Sequence, residues 1–124
     1  MNQRTTLIAA SVLGALAVSI GAFGAHALKP TLIQSGKLEV FELATRYQFY
    51  HTLALLAIGI LQKFLTDTKL QYASLFMLIG TVLFSGSLYL LCFVKLGAVG
   101  LITPIGGVFL ILGWVFLLLG VAKK

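Results

Sequence analysis

TTLIAASVLGALAVSIGAFGA, residues 5–25, carries no charged side chain. As a helix rising ~1.5 Å per residue it reaches roughly 30 Å, one hydrocarbon thickness of a bilayer. Three further apolar runs follow, near Tyr47 to Leu65, Tyr72 to Phe93 and Leu96 to Val121. The 124-residue chain is 60% apolar and only 10% charged, with a mean hydropathy of +1.07. A soluble domain of this size has too little interior to hide that surface, so lipid must be the solvent. The predicted fold is an all-α membrane protein, a four-transmembrane-helix antiparallel bundle in one integral domain, residues 1–124. Its expected spans are 5–26, 47–65, 72–93 and 97–121, with an amphipathic segment at 38–46 between the first two.

The first run has a rival reading. Arg4, an apolar core and Ala25-His26-Ala27 imitate a secretory signal with an A-x-A cleavage site. Its core is longer than the ~7–15 residues of such signals. Its small residues Ala10, Gly14, Ala17, Gly21 and Ala25 also recur at steps of three or four, which suits a helix pressed against other helices. The run is therefore expected to be retained.

The connector LKPTLIQSGKLEVFELATR, residues 28–46, is the only substantial one. Pro30 ends or bends the first helix's exit, and Ser35-Gly36 marks a turn. From Leu38 onward, apolar and charged residues alternate as in a surface helix or an outward extension of the second span. Glu42 and Arg46 stand four apart in the favourable order. Short joints elsewhere force neighbouring helices antiparallel. Lysine and arginine number five on the side of the termini (Arg4, Lys63, Lys69, Lys123, Lys124) and four on the other (Lys29, Lys37, Arg46, Lys95). The positive-inside rule then puts the termini in the cytoplasm of a bacterial inner membrane. The net charge of +6 is scattered over ends and joints, so it points to lipid head groups and not to nucleic acid. Cys92 is the single cysteine, which excludes an intrachain disulfide.

Helices in lipid associate through close backbone approach. Gly106, Gly113 and Gly120 recur every seven residues, with Leu110 between, and Gly107 widens the small surface. Gly14, Gly21 and Gly24 offer the same on the first helix, and Ser85, Gly86, Ser87 and Tyr89 add small and weakly polar positions on the third. At Thr103-Pro104 two readings stay open. Either Thr103 caps a helix whose first residue is Pro104, or one helix runs from Leu96 and is kinked or irregular there. The second is favoured, because Gly97 to Ile102 is too apolar for an exposed loop. Trp114 follows Gly113 in the same span.

Polar side chains in lipid must face protein, so the cluster His26, Glu39, Glu42, Arg46, Tyr47, Gln48 and His51 is the candidate site. His26 ends the first helix on the side where the second begins, which suggests a shared depth for the two histidines. Three uses compete. The leading one is a hydrogen-bonded lock of the connector onto the bundle. The second is a small binding or proton-transfer site, since histidine titrates near ~6.5. The third is metal ligation, for which two histidines without ligand spacing give a weak signal, so no metal and no cofactor is expected. No nucleophile elbow, phosphate loop or paired catalytic carboxylates can be read, so no enzyme is expected.

Four motifs in order then bear on family. GAFGAHAL at 21–28, F-x-x-A-x-x-YQ-x-YH at 41–51, FSGSLY at 84–89 and TPIGG-x-x-x-x-x-GW at 103–114 resemble the YgdD- and YwdK-like inner-membrane proteins over essentially the whole chain. That family also resembles a small eukaryotic transmembrane protein. The resemblance implies four transmembrane helices and an uncleaved first helix, and it supplies no substrate. Its characteristic positions fall on Gly21, Gly24, His26, Phe41, Ala44, Tyr47, Gln48, His51, Gly86, Ser87, Tyr89, Pro104, Gly106, Gly107 and Trp114. The expected role is structural or accessory, with membrane lipids, a second copy or another membrane protein as partners. The alternative is a transporter or channel component, or a small-molecule or lipid binder, using His26 and His51.

Overall fold

Asn2 starts the first helix: its Oδ1 accepts from the Thr5 N–H at 2.8 Å and satisfies a donor with no intrahelical partner. In the computed structural model, which describes residues 1–95 and 97–122, α1 then runs Gln3–Ala25. Lys123 and Lys124, counted above for topology, lie outside the described residues. The Leu28 N–H closes onto Phe23 O at 2.9 Å, and the chain turns into the short α2, Lys29–Ser35. Pro30 stands in the first turn of α2, where a missing N–H leaves no bond unmade. Gly36 ends α2 in the left-handed region at φ 71°, its N–H on Ile33 O.

From Leu38 to Phe64 the backbone is one unbroken helix, α3, so segments 38–46 and 47–65 are parts of a single rod. Asp67 accepts from the Lys69 N–H and opens α4, Thr68–Phe93. A 3-10 turn, Gly97–Leu101, leads into α5, Ile102–Ala122. The 3-10 turn passes into α5 without a break, which is the irregular helical entry expected from the sequence, and Thr103 lies inside α5 and caps nothing. Leu96, the expected start of that helix, lies outside the described residues. Pro104 is the third residue of α5, just past the 3-10 turn.

Among the described residues the fold is all-helical, with no strand, and three helical stretches are long and apolar enough to cross a membrane: Gln3–Ala25, Thr68–Phe93 and Val99–Ala122. The remaining long helix, α3, falls short on apolarity because Tyr47, Gln48, His51 and Thr52 interrupt its middle. The helices pack in chain order, α1 on α3, α3 on α4 and α4 on α5. One core cluster joins all four through Ala10, Leu13, Leu55, Ile58, Met77 and Leu110. A second, around Leu32, Phe41 and Cys92, seats α2 against α3 and α4. Large apolar side chains cover the outside, with Val18 at 62% and Ile111 at 63% exposure, as lipid solvation requires.

The α4–α5 contact is the closest. A Cβ on Gly106 would run into the backbone of Phe84, one on Gly113 would meet Met77 Cγ at 2.9 Å, and one on Gly120 Leu70 Cδ2 at 3.0 Å. Leu110 answers by filling the space over Gly80. Positions seven apart on one helix meet positions seven apart on the other, the register of an antiparallel pair with a coiled-coil repeat.

Candidate functional site

Gln48 sits on α3 at 3% exposure, with an amide that neither lipid nor an apolar core can satisfy. Its Nε2 donates to Leu13 O of α1 at 3.0 Å. Its Oε1 accepts from Tyr89 OH of α4 at 2.7 Å, and the same hydroxyl lies 3.2 Å from Thr45 Oγ1. Close by, Ser85 Oγ of α4 donates to Ala44 O at 2.8 Å. One turn further along α3 is His51. Indole nitrogen can only donate, so the 3.1 Å contact from Trp114 Nε1 makes His51 Nε2 the acceptor. The proton then rides on Nδ1 and is donated to Tyr47 O at 2.8 Å, which fixes a neutral tautomer. The Tyr47 ring stacks on Phe84 of α4, centroids 4.8 Å apart. Through Gln48, Ala44 and His51, α3 is therefore hydrogen-bonded to α1, α4 and α5 alike.

The two histidines do not come together. Gly14 lies against Thr52, Gly21 against Thr45, and Gly24 holds the Phe41 ring where its own side chain would be. That register puts His51 level with the middle of α1, about three turns or roughly 16 Å from His26. His26 is exposed, in a surface groove with Ser19, Phe23 and Ala27. Glu39, Glu42 and Arg46 are exposed as well, with Glu42 and Arg46 4.0 Å apart. The sequence-based cluster thus divides into a buried part (Gln48, His51, with Tyr47 half-buried) and a surface part. Among the described residues no three His, Cys, Asp or Glu side chains are grouped to hold a metal ion.

The other expected positions also divide. Gly106 and Gly113 meet α4, whereas Gly86 faces open space and Gly107 meets only the Phe84 ring at 3.8 Å. Ser87 Oγ donates to Phe84 O at 3.0 Å and accepts from Thr103 Oγ1 at 2.5 Å, tying the start of α5 to α4. Thr45 was not singled out by sequence, and Thr103 only as a candidate helix cap. Thr45 was within reach, since it falls between Phe41 and Gln48 on the stripe that turns inward. Thr52 Oγ1 is buried without a hydrogen-bond partner.

Beside the lock, Tyr47, Tyr50, His51, Phe84 and Trp114 line an aromatic groove of about 550 Å³. A family model described as protein of unknown function, DUF423, matches residues 20–107, a stretch that holds Gln48, His51, Ser85 and Tyr89 and ends before Trp114. The chain is similar to a UPF0382 membrane protein of Staphylococcus saprophyticus, 47% identical over 116 residues that cover 90% of this chain and 95% of the relative. It is also similar to the UPF0382 inner membrane protein YgdD of Escherichia coli, 38% identical over 125 residues that cover 99% of this chain and 93% of the relative. No solved structure matches it.

Proposed function

We propose, starting from the fact that this chain belongs to the DUF423 family of membrane proteins of unknown activity, that it is a structural or accessory unit of the bacterial inner membrane. In this reading α3 is a fourth crossing, the four long helices form an antiparallel bundle, and the termini face the cytoplasm. The role is non-catalytic, and the outer apolar faces serve association with a second copy or another membrane protein.

The observation that carries the reading is the use made of polar groups on α3. Gln48 Nε2 and Oε1 and both His51 nitrogens are engaged by neighbouring helices or by α3 itself. A helix whose Gln48 and His51 are turned inward and bonded can cross lipid at modest hydropathy, because its outer face keeps Leu53, Leu56 and Ile60. Side chains committed in this way hold helices together and are not left free for a substrate.

Single cysteines at Ser35 and Thr66, in a Cys92→Ser background, test the crossing with an impermeant maleimide on intact and opened cells. Opposite sidedness is expected, with Thr66 inside. Labelling of both from one side overturns the four-crossing arrangement. The role itself is tested by His51→Leu and Gln48→Leu: loss of thermal stability in detergent is expected, and unchanged stability with loss of a ligand or flux overturns it.

A lipid or small-molecule binder is favoured by one observation, the aromatic groove beside His51. Its volume lies within the ~300–1,000 Å³ typical of ligand sites.

A further inference from the structure

A second groove lies on the edge of α3 opposite the aromatic one and meets the hydrogen-bonded set at Thr45. It has a volume of about 350 Å³ and opens between the last turn of α1, the first residue of α2 and the first three turns of α3. Its inner part is apolar: Gly21 and Gly24 leave room along α1, and Phe41 and Phe49 of α3 form the wall. Its mouth carries Lys29 from α2 and Arg46 from α3, both exposed. Glu42, 4.0 Å from Arg46, is the one carboxylate in the lining.

Depth orders these groups. The uncharged run of α1 ends at Ala25, so Lys29 stands in the head-group layer, while Gly21 and Phe49 lie one or more turns into hydrocarbon. Gly21 lies against Thr45, so Arg46 leaves α3 about a turn below Lys29 and its guanidinium reaches head-group depth by snorkelling, which gives the groove a cationic mouth above an apolar floor. Two cations from separate elements, one a guanidinium suited to a forked phosphate contact, outnumber one carboxylate.

We propose that this groove seats one anionic phospholipid, its phosphate between Lys29 and Arg46 and the start of an acyl chain along Gly21 and Phe49. A zwitterionic choline lipid brings a cation to the same two cations and is disfavoured. Free phosphate has nothing to place against the Phe41 and Phe49 wall. Glu42 competes with the lipid for Arg46. The proposal goes beyond the structural role above and does not require α3 to cross the membrane.

Full-length protein in a non-ionic detergent is titrated with phosphatidylglycerol or phosphatidylcholine, and bound lipid is counted by native mass spectrometry. One phosphatidylglycerol is expected to be retained about tenfold more strongly than phosphatidylcholine. The Lys29→Gln/Arg46→Gln variant is expected to lose about that factor, while Lys63→Gln/Lys69→Gln, at the other end of α3 and the start of α4, keeps it. Glu42→Gln is expected to raise retention. Equal binding of the two lipids, equal loss in the two double variants, or full displacement by glycerol phosphate at matched concentration each overturns the site. Should the first double variant fold poorly by circular dichroism, the Glu42→Gln result decides alone, and no rise overturns it.

Discussion

Trp114 Nε1 donates to His51 Nε2 at 3.1 Å, with the two rings edge to face and centroids 5.9 Å apart. This is a direct polar bond between α3 and α5, two helices that both pack on α4. It places a neutral imidazole in the middle of the fold as a mortise for an indole. Removing the donor leaves a buried ring nitrogen without a partner.

Trp114→Phe should therefore lower the stability of the full chain in detergent by about 0.5–2 kcal/mol, the range of interhelical hydrogen bonds in membrane proteins plus lost contact area. A double-mutant cycle with His51→Leu should return a coupling of about 0.6–1.7 kcal/mol. Additive thermal shifts would show that the bond contributes nothing.

His26→Ala should leave the melting temperature unchanged, against a clear loss for His51→Ala. His26 is exposed at the end of α1, and His51 is 6% exposed with both nitrogens engaged. Equal losses for the two would mean that they share one buried cluster after all.

Gln48→Leu leaves the Tyr89 hydroxyl only its longer contact with Thr45 Oγ1 and gives up a bond to α1, a loss of about 1–3 kcal/mol. Adding Tyr89→Phe should recover part of that loss, since removal of both partners leaves less unpaired than removal of one. Chemical denaturation of the single and double variants measures the difference, and a double variant worse than the sum of its parts contradicts the pairing.

Gly106→Ala and Gly86→Ala form a matched pair. The first forces a methyl into the Phe84 backbone and should cost several kcal/mol or open the α4–α5 contact. The second meets open space and should be neutral or stabilising by up to about 1 kcal/mol through helix propensity. Thermal unfolding of both variants checks the sign of each.

These pairs mark the boundary of what the amino-acid order reveals. The helices and their solvent follow from uncharged runs and from capping residues such as Asn2. That Gln48 and His51 face protein follows from the cost of a bare polar group in hydrocarbon. Which atoms they meet depends on how far one rod slides past the next, and no local pattern encodes that. A slide of three turns separates His26 from His51, although each stands near the end of an apolar run on the same side of the fold. Gly86 and Gly106 likewise look equivalent as letters, and only the register against the facing helix tells a contact from open space. Trp114 was marked by the GW motif at 113–114, but nothing in the order of residues says that its N–H meets His51.

The unbroken rod from Leu38 to Phe64 has a last consequence. Its 27 residues extend roughly 40 Å, about 10 Å more than a typical hydrocarbon slab. Spanning such a slab, α3 has about 10 Å to spare, so Glu42, ~6 Å from its start, clears the acyl chains and Arg46, ~12 Å from it, reaches the head groups only by snorkelling. Longer-chain lipids would draw that ion pair into the oil, so the fold tolerates thin bilayers better than thick ones.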